Sequence, residues 1–324
     1  SELLAPIKED WMGTEMEQAL SSPEAFISFV GLDNACEEEF KVQKRRYTLN
    51  MCQRSIHGVL KRVEIPKDPQ EQIKGGYKTR LEDEPRNPAT SVVLPFLSNM
   101  FHLNRVFSGI WDPSIRVKIS PVFQPALNIH ESERAAIFGI DGRSVPDEKP
   151  KEDKSKKTNV DNMKTFLFKL NESCAMMLSD CSRLGTEYYS TPLLGQHMVN
   201  YVVQPWKHLP NYRLRNFIRG FLKLYCRACP PSCYVSAVVP VVVGVFSLMI
   251  ERLSNDWEVV RSREIIRPQL ANIEMPEIDE EEEADKDNEV IEDHLVHLLT
   301  KNFLETFFAM CTMRRPSLFT AGST

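Results

Sequence analysis

Strand signals are nearly absent from this 324-residue sequence. No run alternates apolar and polar residues between turn residues, and no Asn-Gly pair marks a hairpin. That excludes sandwiches and barrels and leaves an all-α architecture. Motifs for chemistry are missing as well. There is no G-x4-G-K-[ST], no G-x-G-x2-G opening a helix after a strand, no H-E-x2-H and no nucleophile elbow. The expectation is a protein that catalyses nothing and carries no cofactor. SELLAPIKED offers no basic region followed by an apolar core, so no secretory signal is expected and the default address is cytosolic or nuclear. The eight cysteines are scattered, whereas disulfide frameworks belong to small secreted domains. Cys226, Cys229 and Cys233 form C-x2-C-x3-C, three potential zinc ligands with His208 as a possible fourth. Without a second C-x2-C they read instead as reduced thiols at a helix junction, with no metal.

Hydrophobic residues make up 42 % of the chain, enough for a core. From Tyr201 to Arg252 two helical segments are punctuated by Pro210 and by Pro230-Pro231. In the first, Leu214, Phe217, Ile218, Phe221, Leu222 and Tyr225 recur at three- and four-residue steps, one buried stripe. Arg215, Arg219, Lys223 and Arg227 recur every four residues on a neighbouring face. The second segment, Cys233 to Ile250, carries no charge, reaches the lower limit of a membrane span and is expected to be buried almost all round. Pro240 and Gly244 in its middle, and its amphipathic flanks, favour a kinked buried helix over insertion. A helix pair that buries this much needs neighbours on both sides, the logic of a solenoid.

The formal net charge is −5, but twelve acids and one base place −11 in residues 274–293 and leave +6 on the remainder. The acidic stretch reads as a loop over 274–290, either a solvated linker or a functional surface. Seven bases stand from Lys41 to Arg62 without one acid. Tyr47, Met51, Ile56, Val59 and Leu60 supply the apolar stripe expected for that helix. Like charges at i,i+4 oppose a helix, so the run suggests a phosphate-bearing partner, the alternative being a solvated face that happens to lack acids.

Thr14 and Ser22 are expected N-caps, and Gly31 a stop. Val63 to Pro88 is a proline- and glycine-punctuated break, after which Asn87-Pro88 opens an apolar helix to Phe107. Asp112 caps a helix expected to run to about Ile140. Residues 141–160 read as a charged flexible linker. Asp161 or Asn162 starts a helix to about Leu184 with Phe166, Leu167, Leu170, Cys174, Met177, Leu178 and Cys181 on one side. Another runs from about Thr191 to Val203, and a last one from Val290 to about Cys311. The expected organisation is helix pairs over 1–140 and 161–273, with a further helix in 291–324.

Several blocks together resemble a known family. PNYRLRNFIRGFLK, the Pro-Pro break, VVPVVVGVFSLMIERLSNDWEVV, SSPEAFISFVGLD, KGGY, RNPAT and EDHLVHLLTKNFLE resemble the exportin-5 family. Its members are HEAT-repeat nuclear export receptors of the importin-β (karyopherin) superfamily. The resemblance implies a right-handed superhelical HEAT solenoid, here a central-to-C-terminal part of a longer, monomeric receptor that shuttles between nucleus and cytoplasm. It implies Ran-GTP, nucleoporins and structured double-stranded hairpin RNA with a 3′ overhang as partners, and no membrane insertion. On that reading Arg45, Arg46, Arg54, Arg116 and Lys118 contact phosphates, and Arg86, Asn87, Thr90 and Ser91 lie near the overhang site. Arg213, Arg215, Arg219 and Lys223 match a basic stripe that serves RNA or another partner, on a helix counted as belonging to the outer layer. The alternative is a protein-only carrier or scaffold whose basic stripes meet acidic protein surfaces.

Overall fold

The computed structural model describes residues 5–35, 38–62, 89–137, 158–270 and 280–312, and no strand occurs among them. Eleven helices suffice to place the site. They are α1 (Ala5–Met12), α2 (Thr14–Ala19), α3 (Pro23–Val30), α4 (Glu39–Leu60), α5 (Leu97–Gly109) and α6 (Glu131–Ile137). Next come α7 (Asn159–Cys181), α8 (Leu194–Met198) and α9, which starts at Asn211–Phe217, passes a π turn at Ile218–Leu222 and ends in Lys223–Ala228. The last two are α10 (Val239–Leu270) and α11 (Glu280–Thr312).

Four of these helices lie side by side and parallel. Arg46 sits over the Phe166 ring and His57 Nδ1 meets Asp180 Oδ2 at 2.7 Å, so α4 and α7 rise together. Ser179 Oγ donates to the Gly220 carbonyl at 3.1 Å, tying α7 to α9. Arg215 Nε donates to Asn302 Oδ1 at 3.0 Å and Cys226 meets Met310, tying α9 to α11. Against this layer packs a second, made of α1–α3, α5, α8 with the turn Gln204–His208, and α10. Between layers the helices run antiparallel. Trp206 packs on Phe217 and Tyr189 on Tyr225. Phe246 packs on Phe303 while Arg263 reaches Asp293. The result is an all-α HEAT-type stack of helix pairs, its main interior cluster running from Trp11 to Met310, with a smaller one at Ile137, Ile291 and Leu295.

Local chemistry explains the element ends. Ser22 Oγ accepts from Ala25 N at 3.2 Å, and Gly31 closes α3 in the left-handed region at φ 76°. Thr158 and Asp161 form a reciprocal capping box on α7. That helix therefore starts at Asn159, inside the stretch expected to be a linker, whose residues 141–157 lie outside the described ones. Thr14 is the first helical residue of α2 and Gly13 its N-cap. Asp112 does cap, accepting from Ser114 N at 2.9 Å, but the helix is only Pro113–Arg116. Pro121 and Pro125 then impose a 3₁₀ stretch, Pro121–Leu127, before α6.

Two expectations about long segments change. The acidic stretch is helical from Glu280, ten residues earlier than expected. Arg263 on α10 also pairs with Glu292 at 3.1 Å and Asp293 at 3.0 Å. The uncharged run is one helix, Pro231–Ile265, long and apolar enough to cross a membrane by length and composition alone. Only one of its sides is packed: Val241, Val245 and Met249 are buried, whereas Val235, Val243 and Ile250 are exposed. No described helix covers that second side. Pro240 cannot donate to the Ser236 carbonyl four residues back. The π turn Tyr234–Val238 absorbs the break, and the Ser236 oxygen lies where a Cβ on Gly195 would sit 2.3 Å away.

Candidate nucleic-acid interface

The basic helix α4 sorts its cations by where the helical period points them. Val42, Leu49, Cys52, Ile56 and Leu60 form its buried side. The expected apolar stripe through Tyr47 and Met51 is therefore displaced. Tyr47 stands two residues from Leu49, about 200° around the helix, and is 65 % exposed. The side that faces α1–α3 and α7 also takes two of the arginines. Arg45 Nε donates to Glu15 Oε1 at 2.7 Å and its guanidinium lies over the Phe29 ring. Arg46 Nε donates to the Val30 carbonyl at 2.7 Å, capping the C-terminus of α3 from outside. Its Nη2 would lie 3.3 Å from a Cβ on Gly31, so the glycine makes the room. Burial pushes the Arg46 guanidinium below its ordinary range. A cavity of about 330 Å³ lies beside it, lined by Asn34, Glu39, Gln43 and Asn159. Arg54 points the other way, exposed and without an ion pair among the described residues.

The stripe on α9 divides in the same manner. Arg213, expected among the exposed bases, is fully buried. Its Nη1 meets Glu133 Oε1 at 3.3 Å, and its guanidinium lies over the rings of Trp111 and Tyr212. Four residues before Phe217, and so about 40° from it around the helix, Arg213 faces the core, and the aromatic rings compensate part of its desolvation. Burial pushes the Glu133 carboxyl above its usual range, and Arg213 pulls it only partly back. Arg215 is half-buried against Asn302. Arg219 and Lys223 are exposed and form no ion pair among the described residues.

Of the remaining candidates, Lys118 spends its charge on Glu24 at 2.9 Å, holding that carboxyl below its usual range. Arg116 Nε donates to Gln124 Oε1 at 3.2 Å and lines a mixed-charge cleft of about 750 Å³ with Arg252, Arg263, Asp256 and Glu289. Thr90 is buried and Ser91 exposed. Arg86 and Asn87 lie outside the described residues. Cys226, Cys229 and Cys233 are buried in the core, Cys226 against Met310 and Cys229 against the Pro230 carbonyl.

The parallel layer brings the exposed cations to one surface. Its other face is covered by the second layer, so what α4, α7 and α9 leave exposed lies on the same side. α9 is thus in the same layer as α4, not the opposite one as its position in the chain suggested. Arg54 and Lys61 bracket the level of His57, and Arg219 and Lys223 bracket that of Gly220. Through Asp180 and Ser179 these two levels coincide. The intervening carboxylate, Asp180, is bound by His57 and by Arg183 Nε at 2.8 Å and adds no free acid there. Neighbouring helix axes lie about 8–10 Å apart, which separates the two cation pairs by about 16–20 Å. Such a surface can hold a polyanion at two lines of phosphates.

The sequence model of the exportin-5 family matches residues 1–317. The chain belongs to the exportin-5 family. Exportin-5 of Mus musculus is 28 % identical over 331 residues, covering 100 % of this chain and 27 % of the relative. Exportin-5 of Homo sapiens is 28 % identical over 325 residues, covering 97 % and 26 %. Exportin-5 of Dictyostelium discoideum is 24 % identical over 305 residues, covering 93 % and 25 %. The chain thus spans about a quarter of the length of these exportin-5 relatives.

Proposed function

We propose that this chain is the cargo-holding part of a nuclear export receptor that carries structured, double-stranded RNA. The observation that carries the reading is the division of the cations. Arg45, Arg46 and Arg213 are held by partners within the chain, while Arg54, Lys61, Arg219 and Lys223 stand exposed on one parallel layer with the nearby Asp180 bound by His57 and Arg183. Contacts of this kind read the charge and shape of a duplex and carry no base code. Family membership and the relatives named exportin-5 support the transport role. On the same reading the receptor works by linkage. Ran-GTP and RNA favour each other's binding in the nucleus, and hydrolysis on Ran releases the RNA in the cytoplasm. Nucleoporins would contact it in transit, and no bond is made or broken by the receptor itself.

The test is a mobility-shift titration of the chain with a hairpin RNA bearing a 3′ overhang, with a blunt duplex and with an acidic protein, at fixed salt. Preference for RNA, reduced by Arg54→Glu with Lys223→Glu, supports the proposal. Indifference of RNA binding to both substitutions, with tighter binding of the acidic protein, refutes it in favour of a protein-only scaffold. Repeating the titration with Ran-GTP tests the linkage.

A further inference from the structure

The solvent side of α4 carries more than charge. Phe40, Lys44, Tyr47, Met51 and Arg54 follow one another at steps of four, three, four and three, so they form a single stripe along the helix. All five are exposed: Phe40 at 80 %, Tyr47 at 65 % and Met51 at 39 %. A helix facing only water gains nothing from two aromatic rings there, and an exposed apolar stripe rimmed by charge marks a contact surface. The acids nearest to it in the sequence, Glu38 and Glu39, stand at the helix start, and Glu39 Oε1 already accepts from Gln43 Nε2 at 3.1 Å. From Lys41 to Arg62 there is none. An apolar helix docking here would bury Lys44 and Arg54 without partners, at a large desolvation cost. A duplex would use the cations but not the rings, because paired bases hide their faces. Aromatic rings interleaved with cations along one line match a single strand, whose bases stack while its backbone follows the charges.

We propose that Tyr47, assisted by Phe40, is a stacking platform for unpaired nucleotides, with Lys44 and Arg54 holding the phosphates on either side. The RNA is the one whose duplex occupies the exposed layer, so this inference rests on the proposed function. The platform makes α4 the place where paired and unpaired parts of one RNA meet. Its seven-residue interval between rings corresponds to about 10 Å along the helix.

The test uses the full chain and fluorescence anisotropy with two RNAs, a blunt duplex and the same duplex carrying a single-stranded uridine extension. The double variant Phe40→Ala with Tyr47→Ala is expected to weaken the extended RNA about tenfold, about 1.4 kcal/mol. The blunt duplex should change less than about twofold on the same scale. Tyr47→Trp should retain affinity and show tryptophan quenching by the extended RNA only. Equal loss on both RNAs, or loss on neither, overturns the platform. If Arg54→Glu weakens the blunt duplex while the double variant changes nothing, the platform alone fails. If the wild-type chain binds neither RNA, the platform and the proposed function fail together.

Discussion

Arg213→Met separates a structural arginine from a binding one. The wild-type guanidinium is fully buried, paired with Glu133 and sandwiched near Trp111 and Tyr212. Methionine keeps most of the volume, so the cavity term is small. What is lost is the charge partner, and removing one member of a buried pair costs about 3–5 kcal/mol. The cost depends on pH in a direction the site dictates. Burial already holds the Glu133 carboxyl above its ordinary value, and without Arg213 it rises further. A carboxyl whose folded-state pKa is raised binds more protons in the folded than in the unfolded state. Its stabilising contribution is therefore present at low pH and lost as pH rises through that raised value. Each unit of displacement is worth about 1.4 kcal/mol. Urea denaturation followed by circular dichroism should show the variant closer to wild type at about pH 5 than at about pH 7.5, with the m-value unchanged. RNA affinity at a temperature where the variant is folded should be unaltered. A loss below about 1 kcal/mol, or a loss flat with pH, would refute the buried-pair argument. Full stability with impaired RNA binding would show that Arg213 is a contact after all.

Two further substitutions probe the scaffold. Gly195→Ala puts a Cβ 2.3 Å from the Ser236 carbonyl and 3.0 Å from that of Ala237, both backbone atoms that cannot turn aside. It should cost about 3 kcal/mol, the upper end of overpacking, read as a lowered urea midpoint; an unchanged midpoint would mean that the π turn of residues 234–238 yields freely. Thr158→Ala removes the side chain that accepts from Asp161 N and should cost about 1 kcal/mol by the same assay. Retention of full stability would show that the capping box contributes nothing to α7.

Much of the helical framework was legible because wide apolar stripes declare themselves. Phe166 to Cys181 and Leu214 to Tyr225 are buried as their spacing predicts. Ends ruled by prolines are harder to place: beyond Asp112, Pro121 and Pro125 convert an expected helix into 3₁₀ turns. The cations were harder. Spacing places Arg45, Arg46 and Arg54 on one basic helix, but nothing local to them reveals that Glu15, thirty residues away, or the Val30 carbonyl claims the first two. Arg213 could have been suspected, since it precedes Leu214 on a helix whose apolar face is wide, yet its partner Glu133 is eighty residues distant. The stripe expected through Tyr47, Met51, Ile56, Val59 and Leu60 holds only in its second half, because Leu49, Cys52 and Ile56 fix the buried side. The shared layer of α4 and α9 follows only from tertiary pairing through α7.

The salt dependence of duplex RNA binding tests the central claim most directly. The slope of log K against log salt counts the phosphates neutralised, and each lost phosphate contact flattens it by about one. Arg54→Glu with Lys223→Glu should flatten the slope by about two, and Arg45→Gln should leave it unchanged in folded protein. A slope untouched by the first pair, but flattened by Arg45→Gln, would contradict the account.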